Sequence, residues 1–162
     1  MSDLPVDVVR SKRRKRTAQA YIKEGRLKVM VPFGLGGGEE ALLVDGLVAR
    51  LNRKVLSTEI NLVQRARTLA RKYGLSVPKR IEWSDRQMTR WGSCTPSEGS
   101  IRISNRLASM PAWVLDSVLI HELAHLDEAN HGPRFKALVG RYELSERAKG
   151  YLIAMGEGRA TP

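Results

Sequence analysis

The sequence predicts an α+β fold: an N-terminal antiparallel sheet with helices, a central β-hairpin, and a later helix that carries the chemistry. Three observations carry this expectation. Val6, Val8, Ala18, Ala20, Ile22, Leu27, Val29 and Val31 tend to alternate with polar residues, the period of strands. Two later stretches, 39–74 and 111–156, repeat apolar residues every three to four positions, the period of amphipathic helices. Between them, residues 80–105 return to strand-like composition interrupted by turn residues. A chain of 162 residues, 42% of them hydrophobic, is long enough to bury one core, so residues 1–162 are read as a single domain. Its parts are a basic β-rich segment (1–35), a helical segment (39–74), a sheet and hairpin (80–105) and closing helices (111–156).

In chain order, Val6 to Val31 reads as two or three strands, with a turn at Glu24-Gly25. Six of the seven residues from Arg10 to Arg16 are cationic, either a nucleic-acid arm or, since they lie between strand-like segments, a connected, partly ordered hairpin. Gly34-Leu35-Gly36-Gly37-Gly38 loosely matches a dinucleotide loop. The match is rejected, because Glu39 and Glu40 would occupy the helix end where a pyrophosphate binds. Helices follow near 39–55 and 58–74. The second places Leu62, Val63, Ala66, Leu69, Ala70 and Tyr73 on one face, and Gly74 ends it. Arg80 to Ser84 is a strand. Met88 to Cys94 and Ser100 to Asn105 form a hairpin around Thr95-Pro96-Ser97-Glu98-Gly99. Ser109 suits an N-cap and Pro111 a first turn for a helix over 111–129. Gly132-Pro133 starts another through about Arg141, and Ser145 caps a last one over 146–155.

The net charge of +11 is unevenly spread. Residues 1–80 carry 18 basic and 7 acidic side chains, whereas 81–162 carry 10 of each. A basic half of this kind attracts nucleic acid or nucleotides, or is a solvated face. The lone cysteine, Cys94, excludes an intramolecular disulfide and fits a reducing cytoplasm. It reads as a small buried residue, and Trp83 and Trp113 read as core. The N-terminus, with Asp3 and Asp7, does not read as a secretory signal, and no apolar run reaches membrane-spanning length, so no membrane partner is expected.

All three histidines fall within the run from His121 to His131, as His121-Glu122-Leu123-Ala124-His125 followed by His131. Residues four apart share a helix face, so His121 and His125 can present two imidazoles to one ion. Glu122 then projects beside the ion. His131 closes a tripod if the helix ends first, and Asn130 suits that break through its tolerance of the left-handed conformation. Three protein ligands with a fourth position open is the arrangement of a catalytic metal, with Zn2+ favoured by ligand type. Leu115, Val118, Leu119, Leu123 and Leu126 make the helix apolar, where unpartnered imidazoles would be costly.

Arg90-Trp91-Gly92-Ser93-Cys94, Ile101 to Leu107, Pro111, His121 to Leu126 and Asn130-His131-Gly132-Pro133-Arg134-Phe135 together resemble the YgjP-like metallopeptidase domain, a family related to the SprT and WLM metalloproteases. Val9 to Arg16 and Leu27 to Pro32 resemble its opening strands. Lys136 departs from it, since the family often has Trp there. The resemblance implies a zincin-like fold, one zinc held by His121, His125 and His131, and Glu122 as catalytic base. The histidine spacing also matches metzincins, but Glu128 replaces their mid-motif glycine.

Three functions are therefore expected in order. The first is a zinc-dependent metallopeptidase in which Glu122 activates a metal-bound water. Tyr142, Arg134 and Asn105 are candidates to stabilise its oxyanion, and the hairpin either pairs with an extended protein or peptide substrate or simply walls the site with Trp91 as a core aromatic. The second is a metal-dependent phosphohydrolase of nucleotides, of the nucleoside triphosphate pyrophosphatase type. The third is a non-enzymatic nucleic-acid-binding domain stabilised by zinc, using the basic N-terminal half.

Overall fold

The computed structural model describes residues 4–155; the two ends of the expected domain, 1–3 with Asp3 and 156–162, lie outside the described residues. The chain is a mixed α+β protein with two small sheets and five α-helices among the described residues. The single domain expected over 1–162 is organised as two compact units, one ending at Val55 and one beginning at Leu56.

The first unit holds strands β1 (Val6–Ser11), β2 (Gln19–Lys23) and β3 (Arg26–Pro32), and most of helix α1 (Gly37–Glu59). Glu24 and Gly25 turn β2 into β3 with φ of 53° and 71°, the two left-handed residues of a type I′ hairpin. The sheet is not antiparallel as expected. Its order is β1-β3-β2, and β1 runs parallel to β3, Val8 opposite Val29. The reason lies in composition: Leu27, Val29 and Val31 of β3 are all buried, so the most apolar strand takes the centre. Residues 12–18 then connect β1 to the far edge, and the cationic run is a linking loop rather than a hairpin. Leu43, Val44, Leu47, Val48 and Leu51 of α1 recur at helical spacing and cover one face of β3. The helix continues to Glu59, past the break expected near 55.

The second unit opens with the last residues of α1, followed by α2 (Leu62–Tyr73). Asn61 is its N-cap, accepting from the Gln64 N–H at 2.9 Å, and Gly74 ends it at φ 63°. Strand β4 (Arg80–Ser84) has the expected bounds; β5 (Gly92–Thr95) starts four residues later than expected, and β6 is Ser100–Ser104. The order is β4-β6-β5, again with a parallel pair, β4 with β6, and an antiparallel hairpin. A 3-10 turn at Asn105–Ser109 leads to α3 (Ala112–Asp127). Ser109 lies within that turn and its hydroxyl donates to the Arg106 carbonyl, so Pro111, not Ser109, is the cap residue. Helices α4 (Pro133–Val139) and α5 (Ser145–Ala154) complete the unit. Val114, Leu115, Val118, Leu119, Ile120, Leu123 and Ala124 bury most of the circumference of α3, which packs against α2, α4, α5 and the β5–β6 hairpin. Arg65 ties α2 to α3 through both oxygens of Asp116, at 2.5 and 3.0 Å. Among the described residues no helix is long and apolar enough to cross a membrane.

Candidate metal centre

Helix α3 places His121 and His125 one turn apart on the side facing α4. Its last residue, Asp127, accepts hydrogen bonds from the backbone N–H and the hydroxyl of Ser76. Glu128 is then extended, at φ −143°. The helix thus stops before Asn130, which does not take the left-handed conformation expected of it: among the described residues only Glu24 does so without being glycine. The extended Glu128 turns its carbonyl back towards His125, whose Nδ1–H donates to it at 3.2 Å. This fixes the tautomer and leaves Nε2 of His125 free to bind an ion.

The chain returns at His131, and its Nε2 lies 3.4 Å from Nε2 of His121. The ligand nitrogens of His121, His125 and His131 all lie within 4.8 Å of one another. Tetrahedral zinc at its usual distance from imidazole nitrogen requires nitrogen pairs about 3.3 Å apart; the His121–His131 pair already has that spacing, and His125 closes on the ion by moving towards them. Burial, then the neighbouring His125 and His131, depress the pKa of His121 to about 3; His125 is lowered too, mainly by burial. Both rings are therefore neutral at physiological pH, the form that ligates metal.

Phe135 supports the cluster from α4. Its ring is buried and its centroid lies 4.9, 4.5 and 4.6 Å from those of His121, His125 and His131. No titratable or ligand role marks this residue in the sequence, and only its place in the run after His131 points to it.

Glu122 is 2% exposed. Burial raises its pKa to about 8, opposed by the charge of Arg90. The carboxyl occupies the space above Gly92: a Cβ there would lie 2.6 Å from Glu122 Oε1 and 2.7 Å from Cγ. The hairpin glycine is thus what admits the glutamate. Cys94 is half-buried nearby; burial and the charge of Glu122 raise its thiol pKa to about 11, so it is neither a ready thiolate nor part of the histidine cluster.

His121, Glu122 and His131 open onto a cleft of about 360 Å³. Ser117 and Val118 line it one turn before them on α3, Phe135, Lys136 and Val139 on α4, and Lys149, Leu152 and Ile153 on α5, with Trp91 from the hairpin. Trp91 is buried, and Arg106 stacks on its ring at 4.1 Å. The three candidate oxyanion donors are not brought here. The Tyr142 hydroxyl donates to the Trp113 carbonyl at 3.1 Å, Asn105 is buried in the 3-10 turn, and Arg134 pairs with Glu128 at 3.6 Å. Sequence reasoning does not find Ser117 or the α5 wall. Ser117 is legible as the residue four before His121; the α5 residues are not, because only the packing of α5 on α3 brings them in.

A sequence model of the YgjP-like, metallopeptidase domain matches residues 39–145. No curated protein sequence matches significantly. Among solved structures, the crystal structure of the metallopeptidase zymogen jannalysin of Methanocaldococcus jannaschii is similar, with a TM-score of 0.50 and 15% identity over 57% of this chain and 93% of that one. At that identity the likeness concerns the fold alone.

Proposed function

Because the chain belongs to the YgjP-like metallopeptidase domain family, we propose that it is a zinc-dependent hydrolase that cleaves peptide bonds with Glu122 as general base. The observation that carries this reading is the clustering of three imidazoles beside one buried carboxyl, with His121, His131 and Glu122 opening onto a single cleft. His121, His125 and His131 would hold one zinc, His125 through Nε2. Zinc held there supplies Lewis acidity, which acidifies a water and polarises a substrate carbonyl. Glu122 takes the proton of the attacking water on its carboxylate and delivers it to the departing amine nitrogen. Its ionised form, opposed by burial, is favoured beside a bound dication. Gly92 keeps the carboxyl in place, and Trp91, Val118 and Phe135 hold bulk water away from it. Strand β5 has a partner on one side only among the described strands, so its other edge offers backbone groups to an extended peptide.

The test is elemental analysis of protein purified without added metal, alongside turnover on a peptide library. One zinc per chain, lost in His131→Ala, together with a Glu122→Gln variant that keeps zinc and loses about a thousandfold in turnover, is the expected result. Full activity in Glu122→Gln would refute the role of the carboxylate.

One observation favours a second reading, a nucleotide phosphohydrolase. Lys136 and Lys149 line the cleft and have no carboxylate partner among the described residues. Two cations beside an open metal position suit phosphate oxygens. Release of phosphate or pyrophosphate from nucleoside triphosphates, with no cleavage of peptides, would select it.

A further inference from the structure

We propose that the open face of the N-terminal sheet binds single-stranded polynucleotide. Helix α1 fills one face of this sheet, against Leu27, Val29 and Val31. Strand alternation turns the intervening residues to the other face. Register there sets Tyr21 beside Lys28, and Gln19 and Val9 on either side of Met30. Tyr21 and Met30 are half-buried and belong to no apolar cluster of the unit. Arg14 reaches back from the β1–β2 loop across the same face: its guanidinium donates to Gln19 Oε1 at 3.1 Å and lies 3.9 Å from Met30 Sδ. Asp7, which neighbours Lys28 in register, is already neutralised by Arg26 through two bonds of 2.7 and 2.5 Å.

Charge decides the occupant. Residues 4–55 carry 12 basic and 5 acidic side chains. Arg10, Arg26 and Lys23 are held by Glu40, Asp7 and Glu24. Lys12, Arg13, Arg14, Lys15 and Arg16 have no carboxylate partner among the described residues, although all five lie in one loop at the margin of the face. A run of unneutralised cations beside a ring and a thioether on an open sheet suits a polymer of phosphates with separable bases. The cations follow the backbone while a base stacks on Tyr21. In a duplex the base faces are already stacked and the ring has nothing to receive, so the surface discriminates for single strands. This inference does not rest on the peptidase reading, because none of its residues belongs to the metal centre.

The experiment is fluorescence anisotropy of the full chain with labelled oligonucleotides of about 16 residues, ribo- and deoxyribo-, and with a duplex of equal length, across a series of KCl concentrations. Expected is single-strand binding stronger than duplex binding, with a log–log salt slope of about −3, the value for some four phosphates neutralised. Tyr21→Ala weakens single-strand binding about tenfold. Arg13→Glu combined with Arg16→Glu, in an exposed loop that tolerates substitution, flattens the salt slope by about 1.4. Bound zinc stays at the wild-type level in both, so failure here is separable from failure at the metal centre. Absence of binding at low salt, duplex bound as tightly as single strands, or wild-type binding by both folded variants would overturn the proposal.

Discussion

Gly92 and Glu122 compete for one volume, and that makes the glycine a positioning residue for the carboxylate. Any side chain at 92 must push the Glu122 carboxyl aside, since a Cβ 2.6 Å from Oε1 is far inside van der Waals range. The expected outcome for Gly92→Ala is a chain that folds, binds zinc as the wild type does, and turns over about a hundredfold more slowly, the usual consequence of a reacting group displaced by about 1 Å. Zinc analysis beside kinetics reads this directly; unchanged turnover would mean the carboxyl's position is immaterial. Phe135 makes a contrasting case, because it touches the three imidazoles rather than the carboxyl. Phe135→Ala should cost about 3–5 kcal/mol in chemical denaturation, from the cavity it leaves. Phe135→Leu keeps most of the apolar volume and should still lose about tenfold in zinc affinity by chelator competition, because the rings lose the surface that orients them.

At the scale of elements, local chemistry is readable in the sequence and long-range pairing is not. The Glu24-Gly25 turn, Gly74 and the bounds of Arg80–Ser84 follow from residues beside them in the chain. The histidine pair is equally legible, because one helix's period fixes it. Both sheets, however, pair their first strand in parallel with their third, and nothing near β1 or β4 announces that partner. The physical signal is comparative: β3 and β6, with Leu27, Val29, Val31, Ile101 and Ile103 buried, are more apolar than their neighbours, and the most apolar strand becomes central. The end of α3 escapes local reading for a related reason, since it is set by the distant Ser76 meeting Asp127 and not by Asn130. Where an element end is local, its energetics are simple. Asn61→Ala removes the acceptor of the Gln64 N–H and should destabilise the protein by about 1 kcal/mol, whereas Asn61→Asp, which retains an acceptor, should restore it in urea unfolding.

Across the whole molecule, the histidine cluster and Glu122 tie stability to pH in opposite directions. In metal-free protein the native pKa of His121 is about 3, below its unfolded value of about 6.5. As pH falls below about 6.5, the unfolded chain takes up a proton that the native ring refuses, so stability is lost towards acid. His125 shifts in the same direction. Glu122 does the reverse: its native pKa of about 8 lies above the ordinary value of 4.5, so the native state holds a proton that the unfolded chain releases. Its contribution is complete below about 4.5 and is lost as pH rises through about 8. From these groups, metal-free protein should be most stable near pH 5–6 and weaken on both sides. Zinc held by the three histidines, as proposed, would reverse the alkaline arm, because a dication there favours the ionised Glu122, and binding would then release the proton that would otherwise be lost at a cost. The gap in melting temperature between zinc-loaded and chelator-treated protein should therefore widen from pH 5.5 to pH 8. Scanning calorimetry at several pH values, with and without chelator, measures it, and Glu122→Gln should flatten the alkaline limb of the metal-free curve. A gap that fails to widen towards pH 8 would mean that Glu122 does not sense the ion, and the general-base mechanism would lose its electrostatic premise.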